Sequence, residues 1–251
     1  ARSLASELGV EPRPLKARLR GPWTSSGPLE AERRHDRESA MAAAQSGNLA
    51  LKALFDAGAP LVQVEEDGLT AVAADDAPGQ ALAIDVFRAL MAGVEGHVSL
   101  SVVGGDPCGA GPEVLYAARF SSHLFDLIVG PDGWRVARQA PRERGLILGV
   151  ADARVDHRDA VPVSVWAARY GASMGARGLD RIGLAPSAGL EERSPAVARL
   201  KLRGLAEAAA VASLEGDALR QALPKRARSR GKRPDTETPP PAPGPDAGTS
   251  A

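Results

Sequence analysis

Short apolar runs and longer helical patterns alternate six times along this chain. Each run has strand length, and most lack regular polar alternation, which is typical of strands covered on both faces. The runs occupy residues 15–19, 61–64, 98–103, 124–129, 146–150 and 181–184. This order predicts an α/β fold with a parallel sheet wrapped in helices. Folds of this kind place their chemistry at the carboxyl ends of the strands.

The segments between the runs are long enough to be crossover helices. The predicted helices span residues 30–57, 79–91, 161–174 and 195–214, and a further helix begins at Pro112. Asp76 is placed to cap the helix that follows it, and Gly58 stands where a helix end favours glycine.

Composition narrows the class of protein. With 251 residues, 44 % of them hydrophobic, the chain is long enough for one sizeable core. The charges balance at 31 positive against 31 negative and aromatic residues make up 4 %, so we predict no general affinity for nucleic acid. The single cysteine, Cys108, excludes an internal disulfide and a multi-cysteine zinc site. No apolar stretch reaches membrane-spanning length and no secretory signal is evident, so we expect a cytoplasmic protein without a membrane partner.

The composition changes near the carboxyl terminus. We assign residues 215–251 to a terminal segment and expect disorder from about residue 224, where a basic cluster at 225–233 precedes a proline-rich tail. A solvated tail and a contact with nucleic acid or another acidic surface both remain open for this cluster.

Two loops carry candidate chemistry. The glycine-rich loop at 104–111 has neither the P-loop nor the dinucleotide-binding spacing, which leaves a tight turn or an anion site at the following helix. The acidic triple Glu65-Glu66-Asp67 follows a strand, where carboxylates bind an ammonium, act as a base or hold a metal. A solvated loop is the alternative for this triple.

Six strand-end segments, taken in order, resemble the catalytic domain of cobalamin-independent methionine synthase, in the uroporphyrinogen-decarboxylase/methionine-synthase barrel superfamily. The segments are RLRGPWT (18–24), GAPLVQVEEDGL (58–69), GHVSLS (96–101), FDLIVG (125–130), GVADAR (149–154) and LAPSAGLEE (184–192). They are similar to the family's Gly-Pro-x-Thr, Ile-Gln-Ile-Asp-Glu, His-x-Cys, strand-end glutamate, Gly-Val-x-Asp-x-His and Asn-Pro-Asp-Cys-Gly-Leu segments.

The resemblance implies a TIM-type (β/α)₈ barrel that transfers a methyl group from methyltetrahydrofolate to the thiol of homocysteine. In that family, His, Cys, Glu and Cys side chains hold a zinc ion, and the zinc binds the homocysteine thiol. Here His97 is the one retained ligand, Ser99 and Ala188 replace the cysteines, and Gly130 or Pro131 falls at the glutamate. A single imidazole does not hold zinc, so the resemblance predicts a degenerate metal site.

Other site residues follow from the same resemblance. Glu65 takes the place of the aspartate that binds the homocysteine ammonium, and Gln63 and Glu66 stand beside it at the strand end. Asp152 is retained, whereas Arg154 replaces the family's proton-donating histidine. We therefore predict Gln63, Glu65 and Glu66 as substrate-binding residues, Asp152 and Arg154 as catalytic residues, and His97 as the remaining metal ligand.

The predicted barrel is incomplete. The resemblance covers residues 15–214, after a leading segment at 1–14, and its first strand corresponds to the family's third. The two preceding strands are missing, and we expect a sequence truncated upstream. Two hypotheses about function follow: a methyltransferase acting on a small-molecule substrate, or a non-catalytic small-molecule-binding or regulatory relative of the same fold.

Overall fold

The computed structural model describes residues 16–27 and 36–223 and contains one parallel sheet. Its strands are β1 (Lys16–Arg20), β2 (Leu61–Glu65), β3 (Val98–Val102), β4 (Ser122–Asp126), β5 (Gly145–Ala151) and β6 (Ile182–Pro186). Each strand pairs in parallel with the next along the chain. Such sequential order builds a barrel wall, whereas doubly wound sheets reverse direction part-way. The predicted α/β fold is confirmed, as six strands of a partial TIM-like barrel.

Helices follow the strands as crossovers. They are α1 (Pro22–Ser26), α2 (Arg37–Asp56), α3 (Ala77–Leu90), α4 (Gly111–Leu115), α5 (Trp134–Ala137), α6 (Val161–Ser173), α7 (Pro195–Ala212) and α8 (Gly216–Ala222), with short 3₁₀ turns at Asp67–Ala71, Pro107–Gly109, Pro131–Gly133, Met174–Ala176 and Leu179–Arg181. Asp76 caps α3 by accepting the Gly79 N–H, as predicted. The helix predicted at 30–57 is present as Arg37–Asp56, and the Asp36 carboxylate caps it by accepting the Ser39 N–H. Residues 30–35 of that prediction lie outside the described residues.

Side chains along the strands do alternate between two faces of the sheet, and the two faces differ in polarity. The outer face, toward the helices, is apolar and carries the buried residues Val62, Val64, Val98, Leu100, Phe125, Leu146 and Leu148. The inner face carries Lys16, Arg18, Gln63, Glu65, Ser99, Ser101 and Leu124, which the strand register aligns. Burial on both faces, as predicted, holds for β3 and β4. It fails for β1, whose Lys16, Arg18 and Arg20 are exposed because β1 lies at an edge.

The fourth strand is displaced from its predicted position at 124–129. It ends at Asp126, whose Oδ1 accepts the N–H groups of Ile128 and Val129 at 2.9 and 3.0 Å. These two bonds turn the chain away from the sheet, because the side chain takes the donors that a continuing strand would use.

The sheet is open within the described residues. β1 and β6 stand at its two edges, and a complete barrel of this type has eight strands. A contact still crosses the opening, since Arg18 Nη1 on β1 lies 3.4 Å from Glu191 Oε1 in the loop after β6. Side chains from the two edges of the wall therefore meet at one cavity.

The terminal region is only partly described. Helix α8 falls in the segment assigned to 215–251, and Leu219 and Leu223 pack against Val165 and Ala208 of the α6–α7 pair. The leading segment 1–14 and the basic, proline-rich tail from residue 224 lie outside the described residues. No helix in the described part of the chain has the length and hydrophobicity to cross a membrane.

Candidate functional site

A cavity of about 580 Å³ lies at the carboxyl edge of the sheet. It is formed by the inner face of β1, β2 and β3, by the turn after β2 and by the loop after β6. Its lining residues are Lys16, Arg18, Gln63, Glu65, Asp67, Thr70, Ser101, Val103, Gly104, Leu124, Ala185, Pro186, Ala188, Gly189, Leu190 and Glu191. This volume and this position are those of ligand sites in barrel folds.

A chain of polar contacts runs across the cavity wall. Lys16 Nζ donates to Gln63 Oε1 at 2.6 Å, and Gln63 Nε2 donates to Glu65 Oε1 at 2.9 Å. Arg18 holds Glu65 with two bonds, from Nε to Oε1 at 2.6 Å and from Nη2 to Oε2 at 3.0 Å. The fork of the guanidinium matches the carboxylate, so Glu65 is held in one orientation. Gln63 and Glu65 therefore share the cavity, at the place that the sequence predicted.

The pKa values of Lys16 and Arg18, the two cations in this series of contacts, are shifted in opposite directions. Burial lowers the pKa of Lys16, although the Glu65 carboxylate opposes the change. The hydrogen bond to Glu65 raises the pKa of Arg18, which stays charged. The cavity wall thus presents one permanent cation bound to an acid and one ammonium whose proton is more easily lost.

Further acids and hydroxyls complete the lining. Asp67 Oδ1 accepts the Val103 N–H at 3.3 Å, and burial raises the pKa of Asp67. Ser101 is 2 % exposed and is the register partner of Glu65. Lys16, Arg18, Ser101 and Glu191 were not among the predicted site residues, although all four line the cavity. The alternation in Lys16–Arg20 was the available signal, since period-two spacing puts Lys16 and Arg18 on one face.

Glu66 lies outside the cavity, although the sequence predicted a substrate contact. Its carboxylate is fully buried and accepts the N–H groups of Trp23 and Thr24, at 3.0 and 2.7 Å, and the Thr24 hydroxyl at 2.8 Å. A Cβ on Gly21 would lie 2.1 Å from Glu66 Cδ, so glycine is needed for this close approach. Adjacent residues of a strand end face opposite ways, and Glu66 holds the β1–α1 loop instead.

We expect Glu66 to make stability depend on pH. Burial raises the pKa of this carboxyl to about 7, against the opposing hydrogen bonds from Thr24 and Trp23. The folded state therefore holds the proton more tightly than the unfolded state. Stabilisation from the protonated form is complete below the unfolded pKa of about 4.5 and is lost as pH rises through 7, by about 3 kcal/mol.

Urea denaturation between pH 5 and 8 measures this effect as a difference between wild type and Glu66→Gln. The free energy of unfolding of the wild type should fall relative to that of the variant as pH rises. Asp85→Asn, which changes a partly exposed side chain on helix α3, is the control and should leave the pH dependence unchanged. Parallel profiles for wild type and Glu66→Gln would contradict the raised pKa.

His97 stands at the opposite end of the sheet from the cavity rim. It directly precedes β3, and its carbonyl accepts the Val62 N–H. Ser101 is four residues further along the strand, about 13 Å at the rise of a β-strand. His97 Nε2 lies 2.9 Å from the Ser122 hydroxyl, and burial lowers the pKa of the imidazole. His97 therefore has no neighbouring ligand with which to hold a metal at the cavity.

The other positions of the family's zinc site do not supply ligands. Ser99 is fully buried on the inner face, and Ala188 lines the cavity with a methyl group. A side chain at Gly130 would lie 2.4 Å from the Gly105 carbonyl oxygen. Across the described residues, no group of three or more His, Cys, Asp or Glu side chains is arranged to hold a metal. The residues present therefore do not fit zinc.

Cys108 does not replace the missing thiolates. Its Sγ donates to the Asp132 carbonyl at 3.2 Å, away from the cavity lining, and burial raises the pKa of the thiol to about 11. A protonated thiol is a poor ligand and a poor nucleophile.

Asp152 and Arg154 form a separate pair after β5. Arg154 donates from Nε and from its backbone N–H to Asp152 Oδ1, at 2.8 and 3.0 Å, and this pairing lowers the pKa of Asp152. Neither side chain lines the cavity. The Asp152 N–H is bound by Asp159, which also pairs with the buried Lys201 at 2.9 Å. The structure thus groups the predicted catalytic residues with each other and apart from Gln63 and Glu65.

Solved structures with a similar fold are known. A B12-independent methionine synthase from Shewanella sp. W3-18-1, in complex with selenomethionine, matches with a TM-score of 0.68 and 16 % identity over 79 % of this chain and 62 % of that chain. A putative vitamin-B12-independent methionine synthase from Listeria monocytogenes matches with a TM-score of 0.57 and 14 % identity, over 80 % and 64 %. A methyltransferase from Methanosarcina mazei matches with a TM-score of 0.59 and 14 % identity, over 83 % and 61 %.

These likenesses concern the fold. No protein-family model and no curated protein matches the sequence. The chain spans less than two thirds of the length of the three structures above. At 14–16 % identity, the comparison with these three structures supports a shared architecture, and the chemistry must be argued from the residues of the site. The chain thus has a partial TIM-like barrel structurally similar to B12-independent methionine synthases and to a methyltransferase.

Proposed function

We propose that the chain binds a small molecule bearing both an ammonium and a carboxylate group in the cavity at the carboxyl edge of the sheet. The supporting observation is the mixed charge of the lining, with Lys16 and Arg18 facing Glu65, Asp67 and Glu191. Opposite charges held side by side complement a zwitterion such as an amino acid.

Lys16, Arg18 and Asp67 retain hydrogen-bond donors or acceptors that a ligand could use. Lys16 has three N–H donors and uses one on Gln63, and Arg18 has five, of which three point at carboxylates. Asp67 receives one backbone N–H and keeps further acceptor positions. A ligand carboxylate would bind at Lys16 and Arg18, and a ligand ammonium would bind at Glu65 and Asp67.

Methyl transfer from methyltetrahydrofolate to a thiol is the second candidate. It is favoured by the similarity in fold to two methionine synthases and a methyltransferase. The residues of the cavity argue against the zinc-dependent form of this reaction, because they include no thiolate and no imidazole. Binding without zinc chemistry is therefore the function that the geometry supports best.

Selenomethionine, the ligand named for the Shewanella structure, is a suitable probe. We expect L-selenomethionine to bind the full chain in calorimetric titration, and Glu65→Gln to weaken binding 10- to 100-fold, because a hydrogen bond to a charged group contributes about 1.5–3 kcal/mol. The melting temperature should change little, since the Arg18–Glu65 pair is partly exposed. Asp85→Asn, which breaks a comparable exposed pair far from the cavity lining, is the matched control.

Two analogues test how much the carboxylate and the ammonium of the ligand each contribute to binding. The amino alcohol methioninol lacks the carboxylate, and 4-(methylthio)butanoate lacks the ammonium; each should bind more weakly than the zwitterion. No saturable binding of the probe, or equal affinity of wild type and Glu65→Gln, would overturn the proposal. Stoichiometric zinc together with methionine formation from homocysteine and methyltetrahydrofolate would instead establish the second candidate.

A further inference from the structure

Three aromatic side chains form a cluster on the outside of the barrel wall, away from the cavity lining. We call Trp134 on α5 and Trp166 and Tyr170 on α6 the aromatic surface. Trp166 and Tyr170 stack with centroids 5.2 Å apart and planes 5° apart, and Trp134 meets them edge-on at 5.9 and 5.2 Å. Rings held against one another in this way make a rigid platform.

One ring of the aromatic surface, that of Trp166, is exposed, whereas Trp134 and Tyr170 are half-buried against the core. Trp166 is 57 % exposed, and Val163, one turn earlier on α6, is 58 % exposed. The chain has three tryptophans and two tyrosines in all, and three of these five residues meet here. Exposed tryptophan beside exposed aliphatic surface is typical of a docking site.

The chain leaves the described structure beside helix α6. Its last described residue, Leu223, packs against a cluster that contains Val165 and Ala168 of α6, the helix that carries Trp166. Residues 224–251 follow and include the run Pro-Pro-Pro-Ala-Pro at 239–243. Proline-rich segments bind grooves lined with aromatic rings, because their polyproline II conformation costs little entropy to order.

The distance is within reach of the tail. The 15 residues at 224–238 would span about 20 Å as a random coil and about 50 Å when extended. Helix α6 is about 10–12 Å across with its side chains, so the tail can pass around it. Charge favours the same arrangement: Arg135 in α5 and Arg138 directly after it are exposed, and Asp235, Glu237 and Asp246 flank the proline run.

We propose that the aromatic surface is the docking site for the proline-rich run at 239–243 of this chain's own tail. The contact is intramolecular, so a weak interaction suffices, because the short connection keeps the local concentration of the run in the millimolar range. The rings of Trp134, Trp166 and Tyr170 supply the platform, and the prolines cover the exposed face of Trp166.

Acrylamide quenching of tryptophan fluorescence tests the contact in the full chain. Replacing Pro239, Pro240, Pro241 and Pro243 by serine keeps the length of the tail but removes the prolines that the proposed contact requires. We expect the quenching constant to rise at least 1.5-fold in this tail variant, because Trp166 becomes accessible. An unchanged constant would overturn the proposal. A difference that disappears on dilution would also overturn it, in favour of a second copy of the chain supplying the run.

A labelled peptide of residues 236–247 identifies the surface. Its fluorescence anisotropy should show saturable binding to the tail variant and at least tenfold weaker binding to the tail variant that also carries Trp166→Ser. Leu202→Ser, which changes a residue 52 % exposed on α7, is the matched control and should bind as the tail variant does. Equal binding by the Trp166→Ser and Leu202→Ser forms, or no binding by any form, would contradict the assignment.

Discussion

Replacing Asp159 by asparagine is expected to destabilise the protein by about 3 kcal/mol and to lower its melting temperature by about 9 °C. The Lys201 side chain is completely buried, and its ammonium lies 2.9 Å from Asp159 Oδ2. Asparagine removes the countercharge that is paired directly with the ammonium and leaves the buried Lys201 with only the weaker attraction of the Asp152 carboxylate. Chemical denaturation at neutral pH measures the loss.

A neighbouring ion pair provides the control for Asp159. Arg158 and Glu207 join the same loop and helix α7, but their side chains are 44 % and 53 % exposed. Arg158→Gln should therefore cost less than about 1 kcal/mol. Lys201→Met in the Asp159→Asn background should recover most of the loss, because methionine carries no charge to bury. Equal effects of Asp159→Asn and Arg158→Gln would contradict the argument.

The Asp159–Lys201 pair also holds the loop that follows β5. Asp159 Oδ1 accepts the Asp152 N–H at 2.9 Å, so the pair anchors the chain at the carboxyl end of β5. Asp152 in turn holds Arg154. Sequence patterns alone did not connect these residues with Lys201, which lies 42 positions from Asp159.

Replacing Gly109 by alanine is expected to cost about 3 kcal/mol of stability. A Cβ at this position would lie 2.1 Å from the Val72 carbonyl oxygen, which belongs to the backbone and cannot rotate away. Inserted methyl groups in packed sites typically cost about 1–3 kcal/mol, and contact with backbone places Gly109 at the upper end of this range.

Hydrogen bonds near Gly109 hold the loop after β2 against the loop after β3. Gln80 Nε2 donates to the carbonyls of Ala73, Ala74 and Gly109, at 3.2, 3.2 and 3.0 Å, and ties the loops after β2 and β3 together. Gly204→Ala in α7 is the control, because a Cβ there meets Arg158 at an ordinary 3.6 Å and alanine favours helix. Thermal denaturation should show Gly204→Ala unchanged or stabilised. A Gly109→Ala variant as stable as wild type would contradict the close approach.

The order of the strands was predictable because local hydrophobic patterns along the chain indicate each strand. Each predicted run overlaps an observed strand, and β2 and β3 lie within a residue of their predicted bounds. The fourth strand was misplaced, since the apolar residues Leu127–Val129 suggested a continuing strand where Asp126 binds the next N–H groups and forms a turn. Periodicity does not reveal where a polar side chain replaces a strand's hydrogen bonds.

The candidate site was predictable only in part. The strand end at Gln63 and Glu65 was identified from sequence and lies in the cavity, whereas Glu66 faces Trp23 and Thr24 on the other side. The resemblance to methionine synthase placed His97 at the metal site, yet it precedes β3 and lies at the amino end of the sheet. The motif was matched by residue type, but the function of a residue depends on which end of the strand it occupies.

By itself, the sequence determined the alternation of strands and helices and the parallel α/β class, because burial imposes regular spacing on neighbouring residues of the chain. Only the tertiary structure decided which charged groups meet. Lys16, Arg18, Glu65 and Glu191 come from three separate stretches of sequence, and strand register together with the approach of the sheet's two edges brings them to one cavity. Such contacts join residues up to 173 positions apart, a distance over which local patterns carry no information.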